Sequence, residues 1–187
     1  RALAHYYNNR GAELLAAGEI EAARRHMQAS LDIDSGFASS WNNLGVLHLR
    51  RENLRGAEDA YLAALDLPPK HGPTLFNIVG LYRRLGDATR LRTYQRRLEK
   101  AQLADPFHQF LLATEAEASG DHPRAVQHYR RAIRLHRDEE LFHFGLARVY
   151  FAMGETRQGN RALARAHALE KASLRMRRAE PVVASER

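Results

Sequence analysis

Apolar residues along this chain recur at helical spacing in short runs, and the runs themselves recur every 34 residues. YNNRG begins at Tyr7, WNNLG at Trp41 and LFNIV at Leu75. The large residue of each first run falls at Leu14, His48, Tyr82, Ala116 and Tyr150, and its partner at Arg10, Leu44, Ile78, Leu112 and Leu146. In each second run a small residue stands at Ala23, Ala57, Leu91, Ala125 and Gly159. A bulky one follows at Met27, Tyr61, Gln95, Tyr129 and Leu163, and a second small one at Ser30, Ala64, Leu98, Ala132 and Ala166. Between the runs stand Gly18, Gly86, Gly120 and Gly154, with Glu52 followed by Asn53 filling the gap in the series. Glycine suits a turn because it enters the left-handed region without a Cβ penalty.

This pattern predicts paired helices near 4–16 and 20–33, 38–50 and 54–67, 73–85 and 87–102, 106–118 and 122–136, and 139–152 and 156–179. Asp105 before Pro106 reads as an N-cap with proline at the first helical position. Pro68 and Pro69 end the second helix of the second pair, and Pro123 sits in a first turn where its missing N–H costs nothing. The third pair departs from the columns, since Leu91, Gln95 and Leu98 break the small–bulky–small rhythm. A shifted stripe of Leu91, Tyr94, Leu98 and Ala101 keeps helical spacing there. The last helix has no successor to cover it, and its extension, with Arg175, Arg177 and Arg178, is polar as a terminal cap must be. Pro181 is expected to end it and residues 182–187 to fray.

The period together with Trp41, Leu44, Gly45, Ala57, Tyr61, Ala64 and Pro69 resembles the tetratricopeptide repeat, of bacterial type. The resemblance covers residues 4–173, as repeats near 4–37, 38–71, 72–105, 106–139 and 140–173, with 174–187 the end of a capping helix and a tail. It implies an all-α, right-handed superhelical solenoid of about five helical hairpins with a C-terminal capping helix. In that family the first helices line a concave groove that receives a peptide or helix from another protein. The expected function is therefore a protein–protein interaction scaffold.

Two columns of the first helices fall on the inner face of such an array. One reads Asn9, Asn43, Asn77, Leu111 and Gly145, and the other Asn8, Asn42, Phe76, Phe110 and Phe144. A carboxamide donates and accepts, so it can bond the backbone of an extended peptide. Asn8, Asn9, Asn42, Asn43 and Asn77, with Phe76, Phe110 and Phe144 as apolar anchors, are the expected groove. The row resembles the asparagine ladder of peptide-binding arrays such as that of the O-linked N-acetylglucosamine transferase. The bland alternative is that these amides bond within the stack, and that the rings pack against a terminal extension of the protein. The family's carboxylate clamp is disfavoured, because it wants Lys or Arg where this chain has Asn8, Pro73 and Asn77.

Charge adds a second theme. The net charge is +7. Residues 83–100 carry seven basic side chains against Asp87 and Glu99, and residues 157–187 carry eight against three acidic. Arg83, Arg84 and Arg148 are candidate contacts for an anionic segment, beside the plainer reading of a solvated basic face. RNA binding is the competing class, disfavoured because matched inner positions hold Asn and Phe rather than base-reading groups.

No HExxH helix, glycine-rich phosphate loop or GxSxG elbow is present, so neither catalysis nor a metal nor a cofactor is expected. Cysteine is absent. No apolar run approaches the ~18 residues of a membrane span. No signal peptide is visible, and the cytoplasm is favoured over the periplasm. The chain opens at Arg1 directly in helical sequence, as a piece of a longer protein would. A fainter resemblance, from YNNRG and the FHF segment at Phe142–Phe144, is to the repeat region that follows a transglutaminase-like domain. It would imply docking or presentation of substrates to such a domain. Self-association through exposed faces is the remaining partner class.

Overall fold

The computed structural model describes residues 1–68 and 72–179, with side chains up to 176. Pro69, Pro181, residues 182–187 and the side chains of Arg177 and Arg178, on which expectations were placed above, lie outside the described residues. Ten helices and no strand are found among the described residues. They are α1 (Ala2–Ala16), α2 (Ile20–Ile33), α3 (Ala38–Arg50), α4 (Leu54–Asp66), α5 (Gly72–Leu85), α6 (Ala88–Leu103), α7 (Pro106–Ala118), α8 (His122–Leu135), α9 (Glu140–Ala152) and α10 (Thr156–Ala179).

The chain forms two compact units, Arg1–Ala101 and Gln102–Arg187. First helices pack on the second helices that follow them, α1 on α2, α3 on α4, α7 on α8 and α9 on α10, and second helices on the next first helix, α2 on α3, α4 on α5 and α8 on α9. First helices also touch one another, α1 on α3 and α3 on α5 in the amino-terminal unit, α7 on α9 in the carboxy-terminal one.

The turn inside each hairpin has one design. Gly18, Gly86, Gly120 and Gly154 take φ of 83°, 70°, 77° and 75°, and Glu52 takes 58° in the same column. That residue lets the chain double back, so that the next backbone N–H reaches the large-residue column five positions upstream. Glu19 N donates to Leu14 O at 2.9 Å, Asn53 N to His48 O at 2.9 Å and Asp121 N to Ala116 O at 2.9 Å, closing the helix C-terminus as in a Schellman motif. In three hairpins the same residue then caps the following helix, although Glu19 does not. Asn53 Oδ1 accepts from Gly56 N, Asp87 Oδ1 from Arg90 N and Asp121 Oδ1 from Arg124 N. Asp105 caps α7 as its pairing with Pro106 predicted, accepting from Phe107 N at 2.8 Å.

The small–bulky–small columns form the core. Ala23, Met27, Ala57, Tyr61, Ala125 and Tyr129 have no exposed surface. The third hairpin differs as its sequence foretold: α6 has no fully buried residue. Its shifted stripe of Leu91, Tyr94, Leu98 and Ala101 lies half-buried against the cluster around Tyr82, with the Tyr82 and Tyr94 rings 5.3 Å apart.

Tyr61 and Tyr129 occupy one column with opposite polar fates. Tyr129 Oη donates to Glu117 Oε2 at 2.9 Å. Tyr61 Oη is buried with no partner among the described residues, and burial pushes its pKa up to about 12. Two periods before Glu117 the chain has Leu49, which packs against the Tyr61 cluster. A buried hydroxyl without a partner costs about 1 kcal/mol or more. Tyr61→Phe is therefore expected to raise stability by about 1 kcal/mol and Tyr129→Phe to lower it by a similar amount, read as opposite shifts of the urea midpoint.

Candidate functional site

Adjacent residues on a helix point about 100° apart, so Asn8 and Asn9 cannot share a direction, nor can Asn42 and Asn43. In each pair one turns inward. Asn8 and Asn42 are buried, 6% and 7% exposed. Asn9 is exposed, and Asn43 and Asn77 lie at the boundary.

The five amides form one chain of bonds across α5, α3 and α1. Asn77 Nδ2 donates to Asn42 Oδ1 at 2.9 Å, and Asn42 Nδ2 to Asn43 Oδ1 at 3.4 Å. Asn43 Nδ2 donates to Asn8 Oδ1 at 2.9 Å, and Asn8 Nδ2 to Asn9 Oδ1 at 3.3 Å. All the dipoles run in one direction, so each bond polarises the next. Buried hydroxyls fill the inner carbonyls: Ser40 Oγ donates to Asn8 Oδ1 and Thr74 Oγ1 to Asn42 Oδ1, both at 3.1 Å. Ser40 also lies 2.7 Å from Ser30 Oγ, which donates to Ala4 O at 2.8 Å and ties α2 into the network. The expectation that Asn8 and Asn42 line an open groove is corrected here, because both are enclosed and bonded between hairpins. Asn9, Asn43 and Asn77 form the outer edge, and each keeps donor or acceptor capacity beyond its bonds within the row.

The aromatic column divides. Phe76 on α5 is 67% exposed. Phe110 is half-buried in the core of the carboxy-terminal unit, 5.8 Å from the Tyr129 ring and 5.4 Å from Phe142. Phe144 packs edge-on to His167 at 5.5 Å. Phe110 and Phe144 thus serve their own unit's packing.

The arginine candidates also separate. Arg148 Nη2 donates to Glu117 Oε2 at 2.7 Å and its Nε to Oε1, so its charge is already matched by a carboxylate. Arg84 pairs with Glu52. Arg83 is exposed and makes no ion pair among the described residues. A second carboxylate centre joins Tyr82 Oη, which donates to Glu58 Oε1 at 2.8 Å, and Arg90. Neither centre was visible in the sequence, because tyrosine, glutamate and arginine come from three helices with no common period.

Glu117 is held below the usual carboxylate range, first by the hydrogen bond from Arg148 and then by that from Tyr129, against the opposing effect of burial. A depressed folded-state pKa means stability that is present above about pH 4.5 and is lost as pH falls through the folded value. Glu117→Gln is expected to cost about 1–2 kcal/mol at pH 7. Melting curves of both proteins should converge as the pH is lowered below 4.

The tetratricopeptide repeat family model matches residues 8–71 and 110–168. The stretch between the two matches holds α5 and α6, where the sequence columns break. Cellulose synthase 1 operon protein C from Komagataeibacter xylinus is 26% identical over an alignment of 167 positions that covers 83% of this chain and 13% of that protein. The chain thus spans about an eighth of the length of that curated relative. MamA from Desulfovibrio magneticus RS-1 is 15% identical and has a similar fold, with a TM-score of 0.50 over 92% of this chain and 97% of that one. A MamA RS-1 double mutant gives a TM-score of 0.50 at 14% identity over the same shares. Among the described residues no helix is long and apolar enough to cross a membrane. With a 34-residue period, a common turn and core in its hairpins, and the family match over both segments, this chain belongs to the tetratricopeptide repeat family.

Proposed function

We propose that this chain is a protein-binding scaffold, and that a partner's polypeptide segment lies along the outer amide edge of its amino-terminal unit. The observation that supports this reading is the polarised row of asparagines. Asn8 and Asn42 fix the orientation of Asn9, Asn43 and Asn77, so the outer carboxamides lose little freedom when a ligand arrives. Helices packed side by side lie about 8–10 Å apart, close to three residues of extended chain at about 3.3 Å each. An extended segment crossing α1, α3 and α5 would therefore meet an amide at about every third residue. Phe76 offers an apolar contact beside that row. From the likeness to the cellulose synthase operon protein only the repeat architecture is taken.

Asn9 and Phe76 are the clean probes, since neither holds the hairpins together. Asn9→Ala with Phe76→Ala is expected to leave the melting temperature within a degree or two and to weaken binding at least about tenfold. The measurement is a pull-down from the source organism's lysate with the parent and the double variant, read by mass spectrometry at two salt concentrations. A partner retained by the parent, lost by the variant and indifferent to salt supports the reading. Equal retention by both proteins contradicts it.

A further inference from the structure

The carboxy-terminal unit has a cleft of about 590 Å³ between its two second helices, with α8 and α10 as walls and α9 as floor. Four arginines line it, Arg130 and Arg134 from α8 and Arg161 and Arg165 from α10. No carboxylate does. The floor is apolar, from Leu146 with Ile133 and Ala162 at its edges.

The repeat does not require this arrangement. Three periods earlier the four arginine positions hold Gln28, Asp32, Asp59 and Ala63. His143 stands where the second hairpin has Trp41. The two rings make the same bond to the backbone six residues upstream: Trp41 Nε1 donates to Ser35 O at 2.9 Å, and His143 Nε2 lies 3.0 Å from Arg137 O. The imidazole keeps the structural bond while occupying less of the cleft than an indole.

The arginines are also held differently. Arg130 Nη2 donates to Tyr150 Oη at 2.6 Å, with its guanidinium carbon 5.8 Å from the centre of that ring. Arg165 pairs with Asp138 at 3.2 Å, an aspartate 76% exposed and easily exchanged for another carboxylate. Arg134 and Arg161 make no ion pair or hydrogen bond among the described residues. Two guanidinium groups facing an apolar floor without a counter-charge form a site for carboxylates that arrive on a ligand.

We propose that this cleft is a second binding site, and that its ligand is an acidic segment of another polypeptide. Arg130 and Arg134, and Arg161 and Arg165, are each four residues apart, a rise of about 6 Å. Carboxylates two residues apart on an extended segment lie about 6.6 Å apart, so Asp or Glu at alternate positions matches either wall. The positive surface continues into an adjoining groove of about 300 Å³ that shares Arg130 and Arg134 and adds Arg131 and His128, which suits a segment rather than a single small anion. A nucleic-acid strand fits less well. Tyr150 is engaged by Arg130, and the His143 ring is buried and bonded to Arg137 O, so the cleft offers no exposed, unengaged ring as a stacking platform. The site is independent of the amide edge of the other unit.

The test uses fluorescein-labelled Asp-Leu-Asp-Leu-Asp-Leu and its Asn-Leu-Asn-Leu-Asn-Leu counterpart, with binding read by anisotropy. The acidic peptide should bind and the neutral one should not. Arg134→Ala with Arg161→Ala should weaken binding at least about tenfold with unchanged helicity and melting, since both residues are exposed. Arg134→Lys with Arg161→Lys should recover part of the affinity. Arg92→Ala with Arg96→Ala removes the same charge from α6 and should change binding by less than about twofold. Equal losses in the α6 and cleft variants would overturn the proposal. So would failure to prefer the acidic peptide, or displacement of that peptide by an oligothymidylate of equal charge at lower concentration.

Discussion

Gly145→Ala is expected to destabilise the carboxy-terminal unit by about 2–3 kcal/mol, the opposite of what helix propensity predicts. Gly145 lies inside α9, where alanine would ordinarily gain about 1 kcal/mol over glycine. A Cβ there would stand 2.3 Å from Tyr129 Cε1 and 2.7 Å from its hydroxyl oxygen. The ring cannot retreat, because it is fully buried and its hydroxyl is tied to Glu117. Gly45 faces Tyr61 in a similar way, with a Cβ 2.4 Å from Cε1, but the Tyr61 hydroxyl is untethered. Gly45→Ala should therefore cost less than Gly145→Ala. Gly80 in α5 has nothing within 4 Å of an added Cβ, and Gly80→Ala should gain about 0.5–1 kcal/mol. Chemical denaturation of the three variants checks the order. A loss at Gly80 or a gain at Gly145 would show that packing, as described, does not decide the sign.

The second large effect is expected at Asn42. Replacing it by alanine leaves the buried Thr74 hydroxyl and the Asn77 amide without their common acceptor, and it breaks the row at its middle. Each hydrogen bond lost costs about 0.5–1.5 kcal/mol, so Asn42→Ala should lose about 1–3 kcal/mol. Removing both partners of a buried bond is far less costly than removing one. Asn42→Leu with Thr74→Val should accordingly be more stable than the sum of the single losses, with a coupling of about 1 kcal/mol or more. Additive losses would mean that the bond does not couple α3 to α5.

The helices and their turns were legible because core and turn both obey the same period. The glycine column, the alternation of small and bulky residues, and the failure of that alternation in α6 all correspond to what is packed. The amide face was legible only as composition. Asn8 and Asn9 are both polar, so neither hydrophobicity nor period reveals which is enclosed. The hydroxyls that decide it, Ser40 and Thr74, recur only once. Phe110 shares a column with Asn8 and Asn42 and, like them, packs against the following hairpin, whereas Phe76 in that column is exposed and Phe144, in the last hairpin, meets α10. The arginine cleft escaped a count along the chain because only its α10 wall falls in a basic window, while Arg130 and Arg134 of α8 lie outside both.

The central claim is that the inner asparagines hold the outer ones in place for a partner. Side-chain carboxamide signals in ¹H–¹⁵N correlation spectra, recorded as a captured partner segment is added, test it most directly. The account predicts that Asn9, Asn43 and Asn77 shift together with the Phe76 ring while Arg134 and Arg161 are unaffected. Saturable binding that leaves those three amide signals in place would contradict it.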